Sequence, residues 1–140
     1  METVMTLLTW SETLSVGFAP MDALHKAFVE QLTAVENCPD AELAQHWAQL
    51  IECTHQLFDR ENRWMERSHF GSSQNHTLQH RVVLNVMREG LAQAQHGQNQ
   101  DVRRMAAELA SWFAKHIQSL DAALALHLKS CGMPDTVTLH

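Results

Sequence analysis

Residues 41–66 read AELAQHWAQLIECTHQLFDRENRWME. Leu43, Trp47, Leu50, Thr54, Leu57, Glu61 and Met65 recur along this stretch at steps of three and four residues, the spacing that lines one face of an α-helix. No Gly or Pro interrupts it, and Asp40 stands before it as an N-cap with Glu42 in the first turn. The expected element is a long amphipathic helix with one anomaly. Its apolar stripe carries a carboxylate, Glu61, where a core aliphatic belongs.

Similar segments lie on either side. Turn-forming residues cluster at Gly17 to Pro20, Asn37 to Asp40, Gly71 to Ser73, His96 to Asn99 and Cys131 to Pro134, and they delimit helices over about 20–36, 41–66, 74–95 and 100–129. No period-two alternation of Val, Ile or Thr supports a strand. Long helices joined by short connections favour antiparallel neighbours. The expected fold is therefore all-α: an up-down-up-down four-helix bundle over 20–130, a non-helical N-terminal arm over 1–19 anchored by Trp10 and Phe18, and a tail over 131–140. A single domain accounts for the 140 residues. Gly90 falls inside the third helix and costs it about 1 kcal/mol against Ala, which packing can absorb.

Composition narrows the function. Hydrophobic residues make up 45% and charged residues 19% of the chain, as in a folded globule. Ten basic against 16 acidic residues give a net charge of −6, so the basic face of a nucleic-acid binder is missing. No apolar run approaches the ~20 residues needed to span a bilayer. Met1 to Leu8 carries Glu2 and no Lys or Arg, unlike a secretory signal. Cys38, Cys53 and Cys131 are odd in number and widely spaced, which fits reduced thiols better than a disulfide framework or a Cys-based zinc site. The expectation is a soluble, cytoplasmic protein that engages neither nucleic acid nor membrane. Histidine is the outlier: its 10 copies equal Lys and Arg combined, in a chain with no Tyr.

The inward faces show where imidazole is used. The first helix presents Met21, His25, Phe28, Leu32 and Val35; the third His76, His80, Val83, Met87 and Leu91; the fourth Val102, Met105, Leu109, Trp112, His116, Leu120 and Leu124. With Glu61 on the second, every inward face carries an imidazole or a carboxylate. One buried histidine is ordinarily satisfied by a neighbour, but acids and imidazoles converging from four helices are costly to bury unless a cation neutralises the former and accepts the lone pairs of the latter. A set of His and carboxylate without Cys suits iron, manganese or zinc better than a soft metal. His46, His69, His96, His127 and His140 lie at polar positions, in loops or in the tail, and His55 lies off the stripe, so surface roles are expected for these six. Trp47, Trp64, Trp112 and Met105 read as core filling.

The sequence also resembles a known family. Leu8-Thr9-Trp10 followed by Val16-Gly17-Phe18, then Met21-Asp22-Ala23-Leu24-His25, Glu61-Asn62-Arg63-Trp64-Met65-Glu66, His76 with His80, and Trp112-Phe113 before His116 with Asp121 beyond it are similar to bacterial hemerythrins over nearly the whole chain. The resemblance implies two irons in the bundle core, joined by an oxygen bridge and two carboxylates, with O2 binding at the less saturated iron. By position, His76, His80 and His116 would ligate one iron, Glu61 and Asp121 would bridge, and His25 would ligate the second. His116 and Asp121 are five residues apart, about 140° on an ideal helix, so both can face the metals only through a locally wider turn. At one position the chain departs from the family. Leu57 stands four residues before Glu61, where the family has a histidine, so the second iron loses an imidazole. A register pairing His55 with Asp59 restores the spacing but leaves the apolar stripe and spoils the match at Trp64-Met65, so the Glu61 register is preferred.

These readings imply a cytoplasmic protein that binds O2, or a related diatomic or peroxide ligand, for storage, delivery or sensing. It is expected to be a binding protein and not an enzyme. With no room for an output domain in 140 residues, sensing would need a separate partner. Because Leu57 weakens the second site, two alternatives stand beside it: a small di-iron oxidoreductase acting on peroxide, NO or O2, with no electron donor specified, and a bundle with a partial or zinc-filled site.

Overall fold

The structure is a computed structural model describing residues 6–134. Its long elements are α1 (Ala19–Asn37), α2 (Leu43–Arg67), α3 (Ser73–Gln95) and α4 (Asn99–His116), continued through a π-helical turn (Ile117–Asp121) into α5 (Ala122–Ser130). α1 packs on α2, α2 on α3, α3 on α4, and α4 back on α1. This closed ring of helices with short connections is an all-α four-helix bundle. Among the described residues no strand occurs, and no helix is long and apolar enough to cross a membrane.

The fourth helix runs through the locally wider turn that the spacing of His116 and Asp121 requires, a π turn over Ile117–Asp121. The expectation of a non-helical arm needs correction: Glu12–Leu14 form a 3-10 turn, and α1 begins at Ala19 with Pro20 in its first turn, where a missing N–H costs nothing. Leu14 and Phe18 are buried while Trp10 is half-buried, so Leu14 is an anchor that patterning did not single out. Phe18 meets Trp64 edge to face at 5.5 Å. Asp22 fastens the same segment by accepting hydrogen bonds from Ser15 Oγ (2.6 Å) and the Val16 N–H (2.9 Å). Residues 1–5 and 135–140, including His140, lie outside the described residues.

The stripes of α1 and α2 are buried as expected, every residue of them. On α3 and α4 the buried positions shift. Leu84, Gly90 and Ala94 are buried while Val83 and Leu91 are half-buried; Ala106, Ala110, Phe113 and Ile117 are buried while Met105, Trp112 and Leu120 are half-buried. Small residues let these helix backbones approach, and the larger side chains beside them cover the seam. Gly90 shows how close the approach is: a Cβ there would lie 2.6 Å from Met105 Sδ and 3.0 Å from the Trp47 ring, which is itself fixed by Nε1 donating to the Met87 carbonyl at 2.7 Å.

Two apolar clusters fill the interior, and a polar layer separates them. Phe18, Met21, Trp64, Met65, Leu124, Ala125 and Leu128 form the smaller; the larger includes Phe28, Leu57, Phe58, Leu84 and Phe113. His25 lies between Met21 and Phe28 on α1, Glu61 between Leu57 and Met65 on α2, and His116 to Asp121 between Phe113 and Leu124.

Candidate metal centre

Each helix delivers its polar residue by ordinary periodicity except the last. His25 comes from α1, Glu61 from α2, and His76 with His80, about one turn apart, from α3. His116 ends α4 and Asp121 ends the π turn. On an α-helix five residues would swing Asp121 to another face; the i→i+5 turn accommodates one extra residue and returns its carboxylate to within 3.2 Å of His116 Nε2. All six residues are at most 3% exposed.

The two carboxylates face in two directions. Glu61 Oε1 lies 3.1 Å from His80 Nε2 and 3.6 Å from His76 Nε2, whereas Glu61 Oε2 accepts from His25 Nε2 at 3.1 Å. Asp121 Oδ1 accepts from His76 Nε2 at 2.9 Å and lies near His116, whereas Oδ2 is 3.0 Å from His25 Nε2. His76 thus meets one oxygen of each carboxylate, His80 joins it at that oxygen of Glu61 and His116 at that of Asp121, and His25 meets the other oxygen of both. Glu61, His76, His80, His116 and Asp121 each offer a ligand atom, all within 4.8 Å of one another.

Charge in this layer is strongly coupled. Burial opposes protonation of His25 and His76, yet hydrogen bonds to Asp121 and Glu61 outweigh it and raise each to about 9. Burial and the neighbouring Asp121 push Glu61 up, but the close imidazoles of His25, His76 and His80 bring it down to about 2. Burial likewise opposes the charge of Asp121, and the close imidazoles of His116, His25 and His76 hold it well below the usual carboxylate range. Burial outweighs the pull of Glu61 on His80 and pushes that imidazole below its ordinary value. Two buried anions are therefore balanced by two imidazolium protons, a role that a cation can take over. Glu61 Oε1, Asp121 Oδ2 and the Nε2 atoms of His80 and His116 are buried without an aligned hydrogen bond, so lone-pair donors that could hold a cation converge in one buried layer. A borderline N and O donor set of this kind fits iron, manganese or zinc.

Comparison with known proteins agrees with this geometry. The hemerythrin HHE cation-binding domain matches residues 16–125. The bacteriohemerythrin of Ralstonia nicotianae is 35% identical over 131 residues, covering 94% of this chain and 95% of the relative. The chain belongs to the hemerythrin family.

Within this hemerythrin the remaining sequence-predicted positions separate clearly. Leu57 is fully buried on the stripe one turn before Glu61. His55 is exposed, and Asp59 pairs with Arg63 at 2.9 Å, so the alternative register does not reach the cluster. His69 and His96 are exposed. His46 and His127 are half-buried, and the latter bonds to the Ser68 carbonyl at 3.0 Å. Three neighbours of the cluster escaped the sequence reading of the site. Phe58 stacks on His80 at 3.9 Å and 6°, Trp112 stacks on His116 at 4.4 Å and 23°, and Asn62 Oδ1 lies 2.9 Å from His80 Nδ1. The position of Trp112 one turn before His116 was a usable signal for that contact; Phe58 and Asn62 lie off the α2 stripe and gave none.

Proposed function

We propose that the polar layer holds non-haem iron and that the protein binds O2, or a related small diatomic or peroxide ligand, there for storage, delivery or sensing. The opposed use of the carboxylate oxygens carries this reading: Glu61 turns one oxygen to His76 and His80, Asp121 turns one to His76 and His116, and each turns its other oxygen to His25. In this assignment His76, His80 and His116 would hold one iron and His25 a second, with Glu61 and Asp121 serving both. When bound, ferrous iron would supply the electrons that binding O2 requires. The chain's own contribution is to keep the layer dry and rigid: Phe28 and Phe113 stack at 3.7 Å beside His25, and both apolar clusters seal the layer from above and below. The relative named above as a bacteriohemerythrin supports the same reading. A reducing, cytoplasmic setting suits the free Cys38, Cys53 and Cys131.

Iron titration with absorption spectroscopy tests this. Reduced protein is expected to take up two irons per chain, the second lost first to a chelator, and air is expected to produce charge-transfer bands that fade reversibly when O2 is removed. A colourless protein, or one metal per chain at saturating iron, overturns it. Leu57 favours a second reading, a small oxidoreductase, because it leaves the His25 side with one imidazole against three on the other; rapid irreversible oxidation in air would support that reading.

A further inference from the structure

Among the four imidazoles of the layer, His80 differs at its outer nitrogen. Nδ1 of His25, His76 and His116 is buried with no hydrogen-bond partner among the described residues, whereas Nδ1 of His80 lies 2.9 Å from Asn62 Oδ1. Thr77 Oγ1 donates to the same amide oxygen at 3.4 Å, so that oxygen, which can only accept, is the atom facing His80 Nδ1. At the inner edge of the ring, Nε2 lies 3.1 Å from Glu61 Oε1 but makes no aligned hydrogen bond to it. A proton on Nε2 would therefore be a buried N–H without an aligned acceptor, while a proton on Nδ1 has one. The ring plane is fixed separately, by Phe58 stacked at 3.9 Å and 6°.

We propose that Asn62 is a positioning residue: it holds His80 as the Nδ1–H tautomer with the Nε2 lone pair aimed into the layer, and as a neutral acceptor it leaves that imidazole a weaker donor than a carboxylate partner would. The outer partner of a ligating histidine sets its tautomer and its basicity together, and losing it costs ten- to hundredfold in metal affinity in comparable sites. Asn62 directly follows Glu61, so one turn of α2 supplies both a carboxylate of the layer and the group that orients an imidazole arriving from α3. With His80 the amide lines a groove of about 330 Å³ between α2 and α3, which His55, Arg81 and Arg88 also line. The affinity and potential effects rest on the metal reading above; the tautomer does not.

Long-range proton–nitrogen NMR of the metal-free protein reads the tautomer, with the His80 signals assigned by their absence in His80→Gln. Zinc titration against a chromophoric chelator then reads affinity, and the potential is measured on iron-loaded protein. Wild type is expected to show Nδ1–H. Asn62→Leu should mix the tautomers and weaken zinc ten- to hundredfold with an unchanged helical spectrum. Asn62→Asp should keep the tautomer, bind zinc at least as tightly as wild type, and shift the potential downward. Nε2–H in the wild type, or zinc binding by Asn62→Leu within twofold of wild type, overturns the proposal. Should wild type bind neither zinc nor iron, the metal reading falls, and the tautomer in the metal-free protein still decides the role of Asn62.

Discussion

The two sides of the carboxylate pair are built from the same kind of helix yet furnished very differently. Toward α3 and α4, His76 faces one oxygen of each acid, His80 shares that of Glu61 and His116 that of Asp121, and two of the three rings are stacked, on Phe58 and on Trp112. Toward α1 and α2, His25 stands alone with the edge of Phe113 beside it, and the next stripe position on α2 is Leu57. Both sides are buried, so under the proposed assignment a difference in affinity between them would come from ligand count and the restraint on each ring. Truncation should break the symmetry most plainly. His80→Ala is expected to reduce metal content to background, because the crowded side loses a donor that nothing nearby replaces. His25→Ala is expected to leave close to one metal per chain. Equal losses in the two variants, measured by elemental analysis after dialysis, would refute the division into a strong and a weak side.

Leu57→His attacks the same contrast from the other direction. It should raise occupancy of the His25 side toward that of its neighbour and slow oxidation in air. It also places an imidazole in a fully apolar position, so the metal-free variant should lose about 2 kcal/mol of stability and regain it on loading. Chemical unfolding with and without metal checks both halves. A variant that is equally destabilised in both states would mean that the new imidazole does not reach the site.

How much of this was readable beforehand differs by element. The α1 and α2 stripes were legible because their buried positions are large or chemically distinctive, and so was each polar intruder among them. On α3 and α4 the seam is made by Gly90, Ala94, Ala106 and Ala110, which carry no periodic hydrophobic signal stronger than that of the half-buried residues beside them. The π turn could be anticipated only as a condition, since five-residue spacing puts Asp121 on the wrong face unless the helix widens. Contacts across helices, such as Asn62 to His80 or Phe58 against the same ring, depend on how α2 and α3 are rotated against each other, and no single helix pattern encodes that.

Protons should report the contrast with smaller amplitude. One imidazole on each side, His76 and His25, has its pKa raised to about 9 in the folded protein, against an ordinary value of 6.5. A raised pKa means that the folded state binds the proton more tightly. The stabilisation is therefore complete below about pH 6.5 and is lost as pH rises through about 9. Glu61, depressed from 4.5 to about 2, contributes in the opposite sense: fully above about pH 4.5, and lost as pH falls toward 2. The melting temperature of the metal-free protein should accordingly be highest between these limits and fall on both sides. Metal must displace the two imidazolium protons, one from each side, so each metal equivalent should release about one proton near neutral pH. Calorimetry in buffers of different ionisation enthalpy counts them, and a first equivalent that releases none would remove His76 from the strong side.

The smallest expected effect serves as the control on all of these. Gly90 lies in the seam of α3, removed from both sides of the centre, and an alanine there gains helix propensity of about 1 kcal/mol. Against that gain stands its Cβ, 2.6 Å from Met105 Sδ and 3.0 Å from the Trp47 ring. Met105 is half-buried and can rotate its end away, but Trp47 is fully buried and tied to the Met87 carbonyl, so α3 itself must shift by a few tenths of an ångström. Overpacking of this kind costs about 1–3 kcal/mol. The net expectation for Gly90→Ala is a loss of about 1 kcal/mol, near 3 °C in Tm. Gly71→Ala, where a Cβ meets nothing within 4 Å, should show no such loss. Because the strain is taken up in the larger apolar cluster and not in the polar layer, the ratio of metal held on the two sides should be the same in Gly90→Ala as in wild type. A change in that ratio would show that helix spacing, and not the ligand set alone, distinguishes the crowded side from the sparse one.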